Sequence, residues 1–146
     1  MAFRFTLAAV LKYREALEQR ELTALEKTQQ EITLLEMQIQ KAEEDLSLLE
    51  QRHGEELKRG MPAIHLQGAL EQENAIIRLR EDLVKKQEEL RSKRLEILKA
   101  YEEARQKRQL LERLHDRRLG EYTRQQVKAE QATLDDLFLA RHRQSQ

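Results

Sequence analysis

From Leu25 to His53 the chain alternates apolar and polar positions in steps of three and four: Leu25, Thr28, Ile32, Leu35, Ile39, Ala42, Leu46, Leu49 and His53. Six of these nine are clearly apolar, Thr28 and Ala42 are small enough to sit in a helix seam, and the residues between are mostly Glu, Gln, Lys and Asp. A straight α-helix makes roughly 3.6 residues per turn. A sustained repeat of about 3.5 therefore keeps one stripe facing a partner only if two helices wrap left-handedly. The stretch predicts a helix that needs another helix.

Upstream, Leu7, Val10, Leu11 and Leu17 form a first apolar face, followed by Leu22 and Leu25. The step from Leu17 to Leu25 is longer than a heptad, so the stripe drifts there as a stutter would make it. Thr6 is a candidate cap for a helix entered at Leu7, although no Glu or Gln follows three residues later to complete a capping box. The alternative is a helix that begins at once and contains Phe3 and Phe5. Downstream, Gly54, Gly60, Met61 and the only proline, Pro62, make the one break in the chain. Gly at a helix end and Pro soon after are stop signals. The expectation is a first helix over about residues 4–53, ended by His53 beside Gly54, and a bend over about 54–64.

A second helix is expected over about 65–141. Its heptad stripe is Ala69/Leu70, Ile76/Ile77, Leu83/Val84, Leu90, Ile97/Leu98, Ala104 and Leu111. The intervening set is weaker: Leu66, Glu73, Arg80 or Leu79, Gln87, Arg94 or Leu95, Tyr101, Arg108, His115 or Leu114, and Tyr122. Long Arg and Gln stems can cover a seam while their heads reach water, so this helix is expected to pack on one partner rather than inside a thick bundle.

Folding the second helix back at Gly60–Pro62 brings the stripes face to face. The predicted fold is all-α: a long antiparallel two-helix coiled coil, a helical hairpin with the second helix longer, forming a single elongated domain over residues 1–146. Charge supports the pairing, because residues 18–50 hold nine acids against three bases and residues 78–118 hold fourteen bases against nine acids. Exposed pairs contribute little energy each and act on register and partner choice. The part of the second helix beyond about residue 117 outruns the first. It still carries Leu119, Tyr122, Val127, Leu134, Leu137, Phe138 and Leu139, an apolar set that implies an external partner.

Composition agrees with an elongated helical protein. Charged residues make up 37% of the chain and aromatics 4%, which is enough apolar content for a stripe and too little for a two-layer core. The net charge is zero, so there is no overall pull toward nucleic acid or an anionic membrane. With no cysteine, a thiolate metal site or disulfide framework is excluded. No stretch reaches the roughly 18 apolar residues a membrane span needs, and the N-terminus does not read as a signal peptide. These features predict a soluble protein of the cytosol.

Candidate chemistry is sparse. The sequence has no Gly-rich phosphate loop and no nucleophile elbow, and a two-helix rod cannot enclose a water-excluding pocket. No enzyme activity and no cofactor are expected. The histidines His53, His65, His115 and His142 lack metal-ligand spacing. The most pointed polar feature is the basic run Arg105, Lys107, Arg108, Arg113, Arg117, Arg118 and Arg124. It reads either as a solvated face paired with Glu102, Glu103, Glu112 and Asp116, or as a dock for an acidic protein surface. Nucleic acid comes third, since no aromatic platform accompanies the charge.

The opening Phe3-Arg4-Phe5-Thr6-Leu7, with Val10-Leu11 and Arg14, resembles the start of the FliJ family, the small coiled-coil component of the bacterial flagellar type III export apparatus. The stretch Leu110 to Leu119, then Glu121-Tyr122, Glu130-Gln131 and Leu134-Asp135-Asp136, is similar to that family's second signature. The resemblance implies a hairpin like the central stalk of rotary ATPases. Such a stalk inserts in the ring of the export ATPase FliI, promotes its assembly and activity, contacts the membrane-embedded export gate protein FlhA and escorts export chaperones. It would place the chain in the cytoplasm, peripheral at the inner membrane through the apparatus. On this resemblance the candidate ring-facing residues are Phe3, Phe5, Leu7, Arg113, Arg117, Arg118, Leu119 and Tyr122. A counterpart in a virulence-type secretion system would share this architecture. The rival readings are a structural coiled-coil dimer joined through Leu25–His53 and a basic helical nucleic-acid-binding arm.

Overall fold

The computed structural model describes residues 2–145; Met1 and Gln146, the ends of the expected 1–146 domain, lie outside the described residues. Two helices make up the fold: α1, Ala8–Arg59, and α2, Ala63–Gln144. Among the described residues there is no strand. The helices pack on each other as an all-α hairpin in which α2, at 82 residues, is longer than α1, at 52. The chain divides into two compact units, Arg20–Tyr101 and Met1–Gln19 with Glu102–Gln146.

Within Arg20–Tyr101 the seam follows the heptad. Every one of Leu25, Thr28, Ile32, Leu35, Ile39, Ala42, Leu46, Leu49 and His53 is buried or half-buried, and their neighbours are largely exposed. The matching positions on α2 are Ala69, Glu73, Ile76, Leu83, Gln87, Leu90, Arg94, Ile97 and Tyr101. Cross-helix pairs run in opposite numerical order: His53 with Glu73, Glu43 with Arg80, Glu36 with Arg91. The helices are therefore antiparallel here. Small residues such as Thr28, Ala42 and Ala69 are among the most covered, because close backbones hide short side chains first. The hydroxyl of Thr28 donates to the carbonyl of Ala24 at 2.8 Å, which satisfies it inside the seam.

The helix limits differ from the sequence expectation at both ends of α1. Residues 2–5 are not helical and α1 begins at Ala8, so neither a helix containing Phe3 and Phe5 nor one entered at Leu7 under a Thr6 cap forms. The Thr6 hydroxyl is instead engaged by Arg118. At the other end Gly54 lies inside α1, which runs on to Arg59. The stop comes at Gly60, whose φ of +95° is a left-handed conformation that L side chains rarely adopt. Its N–H donates to the Leu57 carbonyl at 3.2 Å, closing the last turn. His53 does not end the helix. Its Nδ1 lies 2.9 Å from Glu73 Oε1 with both side chains largely covered, so an ionised Glu73 requires the proton to sit on Nδ1.

Candidate functional site

The unit made by Met1–Gln19 and Glu102–Gln146 gathers most of the residues singled out in the sequence. Phe3 and Phe5 alternate along an extended segment, so both can face α2. The Phe5 ring is 7% exposed and meets the His115 ring edge-on, with centroids 5.1 Å apart at 85°. Phe3 touches the same imidazole at 5.6 Å and the Tyr122 ring at 5.5 Å. Arg118 closes the arrangement: its Nη1 donates to the Thr6 hydroxyl at 2.9 Å and its guanidinium carbon lies 5.7 Å from the Phe5 centroid. Leu7, half-buried, leads into α1, and its carbonyl accepts the first bond of that helix from Leu11.

Two helical turns on the N-terminal side of His115, Arg108 makes the tightest ion pair among the described residues. Its Nε and Nη2 donate to the two carboxylate oxygens of Glu18 at 2.5 and 3.1 Å, and its Nη1 donates to Glu112 at 2.6 Å. The Arg108 side chain is 20% exposed and that of Glu18 15%. Hydrogen bonding by Glu18 raises the Arg108 pKa above its already high ordinary value. Burial opposes this, while the charges of Glu18 and Glu112 add to it. Sequence reasoning placed Arg108 in a weak seam position and missed Glu18 as its partner. The bulk charge asymmetry between the helices was the only signal for it.

Of the acids expected to neutralise the basic run, Glu112 pairs within it and Asp116 outside it. Glu112 is taken by Arg108 and Asp116 by His115, whose Nδ1 lies 3.2 Å away. Arg113 and Arg117, exposed and one turn apart on α2, have no ion pair among the described residues. Leu119 is also exposed, at 38%. The eight candidate residues therefore split: Phe3, Phe5, Tyr122 and Arg118 are tied together around His115, Leu7 is half-buried at the entry to α1, and Arg113, Arg117 and Leu119 stand in solvent.

Beyond Tyr122 no described residue of α2 is covered. Every described residue from 123 onward is exposed, including Val127, Leu134, Leu137, Phe138 and Leu139. Local contacts within this stretch include the stacked rings of Phe138 and His142 at 6.4 Å.

A family model described as "Flagellar FliJ protein" matches residues 3–146. The chain belongs to the FliJ family. No curated protein and no solved structure matches it. As a FliJ-family member it is a component of the flagellar export apparatus, a structural and export-associated protein that works with other export components. Among the described residues no group of His, Asp or Glu is placed to hold a metal ion, and no helix is long and apolar enough to cross a membrane.

Proposed function

We propose that this FliJ-family chain is a non-enzymatic stalk and adaptor, with residues 1–146 working as a single domain. It inserts in the ring of the export ATPase, promotes ring assembly and activity, and links the ring to the membrane-embedded export gate, with export chaperones as further partners. Its place is then the cytoplasmic face of the inner membrane, held there by the apparatus. The observation that carries this reading is the uncovered stretch of α2 beyond Tyr122, where five large apolar side chains are each more than half exposed. Water-exposed apolar surface of this kind is normally covered by a partner. The unpaired cations Arg113 and Arg117 beside it favour an acidic ring surface. In mechanism, the stalk touches different ring subunits differently and so biases their closure, because coupling requires contacts that differ between states. Phe3, Phe5, Leu7, Arg118 and Tyr122 shape the end that enters the ring; Arg113, Arg117 and Leu119 touch it.

The test is ATP hydrolysis by the purified export ATPase with and without the chain. Arg113→Glu with Arg117→Glu is the discriminating variant, since Arg118 also holds Thr6 and Phe5 and its reversal would disturb the N-terminal segment. The double variant keeps its helix content by circular dichroism and loses stimulation. Stimulation equal to the parent chain's would remove these two residues from the contact.

A further inference from the structure

Covered polar side chains in the seam of Arg20–Tyr101 are matched in some places and unmatched in others. The Thr28 hydroxyl donates to the Ala24 carbonyl, and the His53 imidazole lies 2.9 Å from the Glu73 carboxylate. Gln87 is 7% exposed, yet its Nε2 has no acceptor among the described residues. One heptad later on α2, Arg94 buries its Nε in the same state. Both residues occupy seam places where a coiled coil ordinarily carries apolar side chains. A covered donor without an acceptor gives up its bonds to water and gains none in return, so the closed seam carries a penalty at this level.

The cross-helix ion pairs weaken toward the same place. His53 and Glu73 are largely covered. Arg80 and Glu43 meet at 2.7 Å with nearly half of each side chain exposed. Arg91 and Glu36, less than a helical turn from Arg94, are 3.3 Å apart and more than half exposed. An exposed pair of this kind contributes little. Grooves also indent the hairpin beside this stretch. One of about 480 Å³ has Leu34, Leu35 and Leu90 in its lining, and another of about 410 Å³ has Ile32, Arg94 and Leu95. Solvent therefore stands close to the buried donors, and a small parting of the helices admits it.

We infer that the seam around Gln87 and Arg94 is a built-in joint, where α1 and α2 part locally while the seam on its Gly60 side stays closed. Parting costs apolar contact but returns both donors to water, so opening is less unfavourable here than where the seam is matched. The joint lets the hairpin yield at this level without unfolding as a whole. The inference goes beyond the ring and gate contacts proposed above and rests on neither, so its failure would leave them standing.

The test is native-state amide hydrogen exchange on the full chain, read by mass spectrometry. A helix that loses its packing is only marginally stable, so amides report the opening of the seam beside them. A uniform seam frays from its ends and protects its interior best. The joint inverts that order: residues 29–40 and 86–97 exchange about ten-fold faster or more, after correction for intrinsic rates, than residues 42–50 and 74–84. Gln87→Leu with Arg94→Met removes both donors and closes this gap. Each substitution alone closes part of it, and the single variants decide the matter if the double variant self-associates in sedimentation. Protection in 29–40 and 86–97 equal to or above that of the reference segments in the parent chain would overturn the inference with no variant needed. A gap that survives the substitutions, or widens with them, would overturn it too, because the opening would then not come from these donors.

Discussion

Glu18 and Arg108 show what one residue pair can fix. Each is a long charged side chain held at 15–20% exposure, where neither would remain without the other. The bidentate geometry makes the pair sensitive to register: a shift of one heptad would bring Arg108 opposite a different α1 residue. Glu18→Ala should destabilise the chain by about 1.5–3 kcal/mol, the cost of leaving a largely covered charge without its hydrogen bonds. Arg108→Ala should cost a similar amount, and the double variant clearly less than the sum of the two, as measured by urea denaturation. Additive losses would mean that the pair contributes nothing as a pair. This contact was illegible in the sequence, because the sequence shows an excess of acid on one helix and base on the other but not which charges meet. Meeting depends on the cross-helix register, and register is a property of two segments together. The same holds for His115, whose pairing with Phe3 and Phe5 follows from an extended segment laid along α2. No periodicity announces such a segment.

At the scale of the element, the seam and the break at Gly60–Pro62 were readable, but the end of α1 was set too early. Nine heptad positions from Leu25 to His53 are covered as the pattern requires, since a 3.5-residue repeat has only one way to hide its apolar members. The end of α1 depended instead on choosing between Gly54 and Gly60, which are chemically identical. Only backbone conformation separates them: Gly60 takes φ +95° and Gly54 continues the helix. Substitution reads that difference directly. A Cβ at Gly54 would meet nothing within 4 Å, so Gly54→Ala should stabilise α1 by about 0.5–1 kcal/mol through lower chain entropy. Gly60→Ala also meets no neighbour but must adopt a left-handed conformation, and should cost about 1–2 kcal/mol. The opposite sign in two thermal melts is the outcome to look for. Two shifts of the same sign would put the end of α1 elsewhere.

On the scale of the whole molecule, the question is what α2 beyond Tyr122 is for. Helices in proteins persist chiefly because a face is packed, and a helix standing alone is marginal at short length. Residues 123–145 receive no cover from α1, so the protein's own stability gains little from them. Their apolar side chains, Val127, Leu134, Leu137, Phe138 and Leu139, are a liability in solution unless something binds them. A chain ending at Gln126 keeps the contacts of Phe3 with His115 and Tyr122 and the Glu18–Arg108 pair. It should therefore match the full chain's unfolding free energy within about 0.5 kcal/mol. The same truncation should abolish stimulation of the export ATPase. Unchanged stability with lost stimulation would mean that the segment serves a partner and not the fold. Retained stimulation would move the ring contact to the Arg113–Tyr122 region alone. A large loss of stability would mean that the segment packs on its own chain in solution, and the argument from its exposure would fail.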